Sequence, residues 1–364
     1  MKKSMVLLFF ALFVVSMFFP NPVTADDEKP VLLKVPVCFS TELPGLGSTI
    51  KWVADRIDEA SGGSIKMKVY EPGKLVAPFE ILESVSKGKV NAGYSMSAYW
   101  AGKIPAAPIF SAVPFGPEAP EYLAWIYYGN GLKYWQEMYD DNGYNVKVLL
   151  CGVISPETSG WFSKEIKTPE DLKGLRMRFF GFGGEVMQKL GVSTSLLPGG
   201  EIFPALEKKA LDATEYSMPA IDKRLGFYKV AKFNYYPGWH QQASLLELLI
   251  NKDTWNAMSK HQQMVLEMMC QAATADSLAY VESLQAPVIK ENVSKLGVTN
   301  KYWSDEMLAS FHKAWDEVVA EQSAKDPFFK KVWDDLDNFR KDYRYWASVG
   351  FLPRPKPTED MNIK

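Results

Sequence analysis

The residue types that carry enzyme chemistry are present in this chain, but not at the spacings that common catalytic motifs require. The glycines at 181–184 resemble a dinucleotide-binding loop, yet Val186 stands where its third glycine belongs. His240, His261 and His312 are too far apart for a histidine-based zinc motif, and no Gly-x-Ser-x-Gly sequence occurs. Every glycine–lysine pair lacks the flanking residues of a phosphate-binding loop. The sequence therefore favours a protein that binds a ligand over one that transforms it.

Two arginines are candidates for binding an anion. Residues 175–179 alternate apolar and basic side chains, which predicts a strand with Arg176 and Arg178 on one face. A guanidinium presents two parallel donors that match a carboxylate, and this pair is stronger in a closed cleft than in water. From the strand pattern alone, a surface charge or a structural ion pair is the more common role of such an arginine.

Composition and charge exclude several other classes of protein. The chain has 364 residues, of which 47% are hydrophobic and 23% are charged, with a net charge of −2. Near-neutral charge without a block of lysine and arginine argues against general nucleic-acid binding. Aromatic residues make up 13% of the chain, which suits a pocket lined with rings, although an aromatic-rich core explains the number equally well. The length predicts two lobes.

The first 25 residues have the pattern of a secretory signal peptide. Lys2 and Lys3 precede an apolar run over residues 5–19, and small residues follow up to a cleavage site near Ala25. The run is shorter than the roughly 20 residues that a membrane-spanning helix needs. The first cysteine, Cys38, lies too far beyond that site to imply a lipid anchor. We therefore expect an exported protein of the periplasm.

The elements that position the candidate residues alternate between strands and helices. This pattern occurs twice between residues 32 and 216 and predicts an α/β fold with parallel or mixed sheets. The glycines at 181–184 are expected to form a turn that opens a helix, and residues 245–250 a strand in the centre of a sheet. Ser259 and Gln262 form a capping box, which predicts a helix that continues to about residue 295.

A series of motifs along the middle of the chain resembles those of TRAP transporter substrate-binding proteins of the DctP type. In chain order they are KGLRMR at 173–178, GFGGEVM at 181–187, LPGGE at 197–201, LDATEY at 211–216, LGFYK at 225–229 and YYPGWH at 235–240. Such proteins are the periplasmic receptors of tripartite ATP-independent transporters. The resemblance extends over the mature chain and points to the branch that binds 2-oxo and 2-hydroxy monocarboxylates together with a metal ion.

The resemblance implies a two-lobe periplasmic binding protein (Venus-flytrap) fold with mixed sheets, hinge strands and long C-terminal helices. Lobe I is expected to comprise residues 26–150 and about 240–300, and lobe II residues 151–239 and about 301–326. Residues 327–364 are expected to form a C-terminal helix and tail. That helix either packs on its own chain or is exchanged between the protomers of a homodimer.

The resemblance also implies roles for individual residues. Arg178 stands where family members place the arginine that clamps the substrate. Glu215 stands at the position of a metal-binding glutamate, and the backbone carbonyl of the following Tyr216 is expected to ligate the ion as well. Glu157 and Gln241 complete the expected ligand set, with the carboxylate and the amide exchanged relative to many relatives. Glu157 is also expected to contact the substrate.

The expected ligand and ion follow from the same residues. Phe180 and Phe182 stand where relatives often have smaller residues, which predicts an acid with a larger apolar or aromatic side chain. The oxygen ligands suit a hard cation, with Ca²⁺ favoured and Na⁺ or Mg²⁺ as alternatives. The aromatic residues expected to line the cleft are Tyr99, Trp100, Trp161, Phe180, Tyr216 and Trp239.

The resemblance implies a receptor without catalytic activity, which captures a small organic carboxylate and delivers it to the TRAP membrane permease subunits. Two alternatives remain at this point. One is an exported enzyme on the same scaffold, with Glu157 and Glu215 as acid and base. The other is a receptor of an ATP-driven importer, which has a similar two-lobe shape.

Overall fold

The structure, a computed structural model, describes residues 28–354, so the predicted signal peptide and its cleavage near Ala25 lie outside the described residues. The first part of the described chain contains β1 (Val31–Pro36), α1 (Gly47–Ala54), α2 (Ile57–Ala60), β2 (Ile65–Tyr70), α3 (Ile81–Ser86), β3 (Ala92–Ser95), α4 (Ala119–Tyr128), α5 (Gly131–Asp141) and β4 (Val146–Ile154). The middle part contains β5 (Gly160–Phe162), β6 (Arg176–Arg178), α6 (Gly181–Lys189), β7 (Ser193–Ser195), α7 (Gly199–Glu207), β8 (Ala213–Thr214), α8 (Pro219–Leu225) and β9 (Phe233–Tyr236). The last part contains β10 (Ser244–Asn251), α9 (Lys252–Ala257), α10 (Lys260–Leu296), β11 (Thr299–Tyr302), α11 (Asp305–Lys325) and α12 (Pro327–Gly350).

The strands form two groups, one in each lobe. In the first lobe, β10 lies between β3 and β4 and pairs antiparallel with both, while β1 and β2 pair in parallel. The second lobe contains a mixed six-stranded sheet in the order β11-β9-β5-β8-β6-β7. This two-lobe α/β architecture with mixed sheets confirms the predicted fold class. The residue boundaries given above for the two lobes stay a prediction.

The long helix α10 packs against elements of both lobes. As predicted, it begins with a capping box between Ser259 and Gln262, and it ends before Gly297, which adopts a left-handed conformation. Its 37 residues give a rod of about 55 Å, which contacts α1 and β4 of the first lobe and α8 of the second. Among the described residues, no helix is long and apolar enough to span a membrane.

Other local expectations require correction. The glycines at 181–184 do not form a separate turn, because α6 begins at Gly181 itself. A Cβ on Gly183 would lie 2.5 Å from the ring of Phe179 and 3.0 Å from the Cβ of His240. The glycine therefore permits close packing of the helix. The strand β11 was not predicted from the sequence, since most of its residues are polar. It forms by pairing in parallel with β9.

The last helix, α12, packs on its own chain through its N-terminal half. It extends from Pro327 to Gly350, within the range predicted for a C-terminal helix and tail. Phe329, Val332 and Leu336 are completely buried, and the helix contacts α4, α5 and α11. Its C-terminal end is different, because large apolar side chains there are exposed: Tyr345, Trp346, Val349, Phe351 and Leu352.

The predicted central strand, β10, is buried along its whole length and carries one carboxylate. Glu247 Oε1 accepts a hydrogen bond from the indole N–H of Trp100 at 2.9 Å, and its Oε2 accepts one from the Tyr139 hydroxyl at 2.6 Å. Burial raises the pKa of Glu247 to about 7, although these two donors act in the opposite direction. This carboxyl group therefore holds its proton more tightly in the folded chain than in the unfolded chain.

We predict that Glu247→Gln flattens the pH dependence of stability. Because the folded-state pKa of Glu247 is raised from 4.5 to about 7, its contribution to the free energy of unfolding falls as pH rises through this window. The loss amounts to at most roughly 3 kcal/mol. Glutamine cannot ionise, yet it can accept from Trp100 and donate to the oxygen of Tyr139. Urea unfolding at pH 5 and pH 8 measures the effect, and an equal decline in both proteins would contradict it.

Candidate functional site

Four segments of the chain meet near the ends of β6 and β8. Arg178 is the last residue of β6, and Glu215 directly follows β8. The two strands pair in parallel with Arg178 opposite Thr214, so the following residues emerge at the same edge of the sheet. The third segment is the loop after β4, which carries Glu157, and the fourth is the segment 237–241 before β10. All four therefore contribute to one buried region.

The third and fourth segments approach each other through their backbones. The N–H of Glu157 donates to the carbonyl of Gln241 at 3.2 Å. A Cβ on Gly238 would lie 2.1 Å from the carbonyl oxygen of Glu157, which is closer than any side chain can approach. The absence of a side chain at residue 238 therefore permits Glu157 and Gln241 to lie together.

Arg178 is a buried charge with a buried partner. Its Nη1 donates to Glu215 Oε1 at 2.7 Å and to the Glu215 backbone carbonyl at 2.9 Å, while Nε donates to the Leu197 carbonyl at 3.3 Å. The guanidinium carbon lies 5.0 Å from the ring centre of Tyr216 and 5.4 Å from that of Phe180. Nη2 makes no hydrogen bond to the residues that the structure describes. Arg178 is thus held in place, while one of its terminal nitrogens has no hydrogen-bond partner among the described residues.

Arg176 differs from Arg178 in its exposure and in its hydrogen-bond partners. Its side chain is half exposed, and it pairs with Asp212 through two hydrogen bonds of 3.0 and 2.8 Å. The strand pattern could not distinguish the two arginines. The structure assigns the structural ion pair to Arg176 and the buried position to Arg178.

Three of the aromatic residues expected in the cleft surround the guanidinium. Tyr216 and Phe180 flank it, as described above, and Tyr99 contacts Phe180 edge-on with ring centres 5.9 Å apart. Tyr99 belongs to the segment after β3, in the first lobe, whereas Phe180 and Tyr216 belong to the second. The aromatic surroundings of Arg178 therefore come from both lobes.

The three tryptophans expected in the cleft have other contacts. The indole N–H of Trp100 donates to Glu247, and that of Trp161 donates to Asp222 Oδ2 at 2.8 Å. Trp239 stacks on a phenylalanine of α11 with ring centres 4.6 Å apart. These contacts account for the burial of all three side chains, and their role in lining the cleft stays a prediction.

Several buried polar atoms of the site have no hydrogen-bond partner among the described residues. They are Glu157 Oε2, Glu215 Oε2, Ser217 Oγ, Gln241 Oε1 and both ring nitrogens of His240. The other oxygen of Glu215, Oε1, does have partners, because Arg178 and the backbone N–H of Phe180 both donate to it. Buried carboxylate oxygens are costly without a donor or a cation. The free oxygens therefore point to a positively charged partner.

His240 is the functional candidate that the sequence analysis missed. Its Nε2 lies 3.5 Å from Glu157 Oε2 and 3.7 Å from Glu215 Oε2, and its side chain is buried. The spacing of the three histidines relative to one another carries no information on a single imidazole that lies beside two glutamates. The signal in the sequence that could have identified His240 is its position at the end of the YYPGWH motif, directly before Gln241.

The electrostatics of this cluster follow from two carboxylates and one imidazole in the same buried space. Burial raises the pKa of Glu157 to about 7, although the nearby imidazole of His240 opposes the shift. Burial lowers the pKa of His240, but the two carboxylates outweigh it and raise the value to about 9. The two carboxylates thus favour a positive charge on the imidazole that lies beside them.

The residues present fit a bound cation. Glu157, Glu215 and His240 each offer a ligand atom, and these atoms lie within 4.8 Å of one another. Gln241 adds an amide oxygen without a hydrogen-bond partner among the described residues. Carboxylate and amide oxygens are ligands that hard cations prefer. A cation among them would satisfy the carboxylate oxygens that this buried region leaves without donors.

The chain matches a known family and curated relatives. Residues 42–326 match the family described as bacterial extracellular solute-binding protein, family 7 (DctP). A monocarboxylate 2-oxoacid-binding periplasmic protein of Nostoc sp. is 36% identical over 300 residues, which cover 82% of each chain. The 2,3-diketo-L-gulonate-binding periplasmic protein of Escherichia coli is 24% identical over 302 residues, covering 78% of this chain and 83% of the relative.

Solved structures of TRAP solute-binding proteins superpose on this chain. One from Bordetella bronchiseptica, with copurified calcium and picolinate, is 30% identical with a TM-score of 0.86, covering 89% of this chain and 95% of the other. One from Pseudoalteromonas atlantica, with sodium and pyruvate, is 31% identical with a TM-score of 0.85, covering 88% and 97%. One from Colwellia psychrerythraea, with calcium and pyruvate, is also 31% identical, with a TM-score of 0.84, covering 88% and 98%. The chain therefore belongs to family 7 of the bacterial extracellular solute-binding proteins, the DctP family.

Proposed function

We propose that this protein is a periplasmic receptor of a TRAP transporter that captures a 2-oxo or 2-hydroxy monocarboxylate together with a metal ion. The observation that carries this proposal is the buried guanidinium of Arg178 beside buried carboxylate oxygens that lack donors. The first of these features suits an anion and the second a cation. The Nostoc relative named for 2-oxoacid binding, and the neighbours with pyruvate and a metal ion, support the same assignment.

Arg178 is the residue that binds the carboxylate of the substrate. Its Nη2 is the donor that remains after its bonds to Glu215 and Leu197 are made. Burial strengthens a charge-assisted hydrogen bond, because water does not compete for either partner. The rings of Phe180 and Tyr216 hold the guanidinium plane from its sides. This arrangement fixes where the substrate anion is held.

Glu157, Glu215, Gln241 and the backbone carbonyl of Tyr216 are the proposed ligands of the metal ion. A bound cation would neutralise the two glutamates and attract the carboxylate and the 2-oxygen of the acid. Two glutamates and one substrate anion together carry about three negative charges, which a divalent ion balances better than Na⁺ does. Ca²⁺ is therefore favoured over Na⁺ and Mg²⁺. Two of the structural neighbours hold calcium and one holds sodium.

The aromatic walls suit an acid with an apolar or aromatic side chain. Tyr99 and Phe180 lie edge to face beside Arg178, and the neighbour from Bordetella bronchiseptica carries picolinate, an aromatic carboxylate. Phe182, which the sequence analysis also considered, packs against Trp315 and Phe329 of the C-terminal helices. The preference for a bulky side chain therefore depends on Tyr99 and Phe180.

Ligand capture is proposed to close the two lobes over the site. Tyr99 of the first lobe and Phe180 of the second meet beside Arg178, so a ligand held there contacts both lobes only when they are closed. Binding then shifts the population toward the closed form. The closed receptor would deliver its ligand to the membrane permease subunits. The expected location is the periplasm, which agrees with the names of the curated relatives.

We also propose that the chain forms a homodimer through the C-terminal end of α12. Trp346 is 55% exposed and Leu352 is 92% exposed, and Leu352 lines a cavity of about 580 Å³ that also involves Trp239 and Arg340. Large exposed apolar clusters are typical of interfaces. The Bordetella bronchiseptica neighbour is described as a dimer. Exchange of the whole helix between protomers is one form that this dimer could take.

We predict that substrate affinity depends on the metal ion. Exhaustive chelation of the purified protein should weaken pyruvate binding at least about tenfold, because the two glutamates then repel the anion. Addition of Ca²⁺ should restore the affinity. Titration calorimetry measures the affinity with and without the metal ion. Mass spectrometry of the released ligand shows whether the protein has altered it chemically. Equal affinity with and without metal would contradict the bridging ion.

The same titrations test the aromatic walls. Phenylpyruvate should bind the Ca²⁺-loaded protein more tightly than pyruvate, because its ring can contact Tyr99 and Phe180. Phe180→Ala should remove this difference between the two acids. A protein that prefers pyruvate or lactate over all bulkier acids would contradict the proposed side-chain preference.

We predict that Arg178→Met weakens substrate binding by about 100-fold, because a buried charge-assisted hydrogen bond is lost. Arg178→Lys should recover only part of the affinity, since lysine keeps the charge without the planar fork. Arg176→Met is the matched control, because it removes an arginine two residues away on the same strand. Calorimetry gives the affinities, and circular dichroism confirms that each variant is folded. Equal binding by all three variants would exclude the clamp.

We predict that the native protein has the mass of two chains in light scattering after size exclusion. The double variant Trp346→Ser, Leu352→Ser should shift the mass toward one chain, because it removes apolar area from the proposed interface. Leu32→Ser is the control, since Leu32 is an exposed apolar residue in the first lobe, on β1. A native protein with the mass of one chain at micromolar concentration would contradict the dimer.

A further inference from the structure

A buried carboxylate behind the site joins two segments that carry proposed metal ligands. Asp222 lies in the first turn of α8 and is completely buried. Its Oδ1 accepts a hydrogen bond from the backbone N–H of Ser217 at 3.1 Å. Its Oδ2 accepts one from the indole N–H of Trp161 at 2.8 Å and one from the Thr158 hydroxyl at 3.4 Å. One side chain therefore connects the loop after β4 with the segment after β8.

Two of the three residues that bind Asp222 are next to a proposed ligand. Glu157 directly precedes Thr158, and Tyr216 directly precedes Ser217. The backbone N–H of Thr158 also donates to the Ser217 carbonyl, at 3.3 Å. The contacts to Asp222 add further links between the same two segments. Several hydrogen bonds together therefore hold the two segments next to each other.

We propose that Asp222 is a positioning residue that holds Glu157 and Tyr216 at the separation that one cation requires. The inference rests on the proposed function, because it presupposes that these two residues ligate a metal ion. Asp222 does not touch the ion or the substrate in this proposal. It acts through the backbone of Ser217 and the side chains of Thr158 and Trp161.

The helix that carries Asp222 is itself anchored. The backbone N–H of Ala220 donates to Gln285 Oε1 of α10 at 3.1 Å, and Lys223 pairs with Glu291 of the same helix. Since α10 also packs on the first lobe, Asp222 links both ligand segments to a helix that contacts elements of both lobes. This anchoring is what a positioning residue needs.

The polarity of the hydrogen bonds defines the test. The indole of Trp161 and the backbone N–H of Ser217 can only donate, so each of the two terminal atoms of residue 222 must accept. Asparagine has nearly the same shape as aspartate but one of its terminal atoms is an N–H₂ group. In Asp222→Asn this group faces a donor in either orientation of the amide. One of the two segments is therefore released with little change in volume.

Terbium is the probe for the experiment, because Tb³⁺ prefers the same oxygen ligands as Ca²⁺ and its luminescence reports binding. The native protein and Asp222→Asn are titrated with Tb³⁺ at a temperature where circular dichroism shows both to be folded. We expect the dissociation constant to rise at least about tenfold in the variant. Luminescence lifetimes in H₂O and D₂O should show at least one more water on the ion, because a protein ligand is lost. A merely structural role would lower the melting temperature without adding water.

Glu247→Ala and Asp222→Ala form a matched pair of controls. Each removes a completely buried carboxylate that accepts a tryptophan N–H, but Glu247 does so in the sheet of the first lobe. Both variants should lose stability. Only Asp222→Ala should lose terbium affinity and gain water at the ion.

The outcomes separate this inference from the proposed function. If the native protein does not bind Tb³⁺, the proposed metal site fails and the inference fails with it. If the native protein binds Tb³⁺ and Asp222→Asn binds it with the same affinity and water count, only the inference is overturned. If Asp222→Asn does not fold, Trp161→Phe decides the question, because it removes a single donor from Oδ2. The inference then requires weaker binding in Trp161→Phe, and unchanged binding overturns it.

Discussion

The buried ion pair between Arg178 and Glu215 is the interaction on which the rest of the site depends. The two side chains are only 1% and 0% exposed, and neither charge could be left without the other at acceptable cost. Because Arg178 and the N–H of Phe180 occupy one oxygen of Glu215, its other oxygen is turned toward Glu157 and His240. The pair therefore fixes both the nitrogen that we propose to meet an anion and the oxygen that we propose to meet a cation.

The need for a cation follows from the protein before any substrate is considered. Glu157 and Glu215 share a space from which water is excluded, and each leaves one oxygen without a donor among the described residues. The charge of Glu215 contributes to the raised pKa of Glu157, because like charges in such a space repel each other unless positive charge lies between them. His240 supplies part of that charge, because the two carboxylates raise its pKa to about 9 in spite of burial. A metal ion would supply more positive charge and could take the amide oxygen of Gln241 as a ligand.

The order of motifs predicted the fold class, which the structure confirms, and it proposed Glu157 and Glu215, which the structure brings together. The sequence failed where long-range packing decides. Alternation along β6 placed Arg176 and Arg178 on one face but could not show which is buried. The two differ through contacts with other segments, such as the pairing of the exposed Arg176 with Asp212. His240 was missed because its importance arises only when the chain brings Glu157 beside it. Trp161 was expected in the cleft, and its hydrogen bond to a buried carboxylate has no local signature. The strand β11 likewise exists only because β9 offers it a partner.

In the proposed mechanism, closure of the lobes and ligand affinity are parts of one equilibrium. Arg178 and Glu215 are buried because residues of the first lobe, Tyr99 among them, cover the end of the second sheet. Separation of the lobes would admit water to both charges and weaken every electrostatic contact that a ligand makes with them. In the proposed mechanism the ligand would gain most of its binding energy in the closed form, because an anion and a cation would satisfy the polar atoms inside it. Such a receptor would signal occupancy through its shape, which is a property that a membrane permease could read.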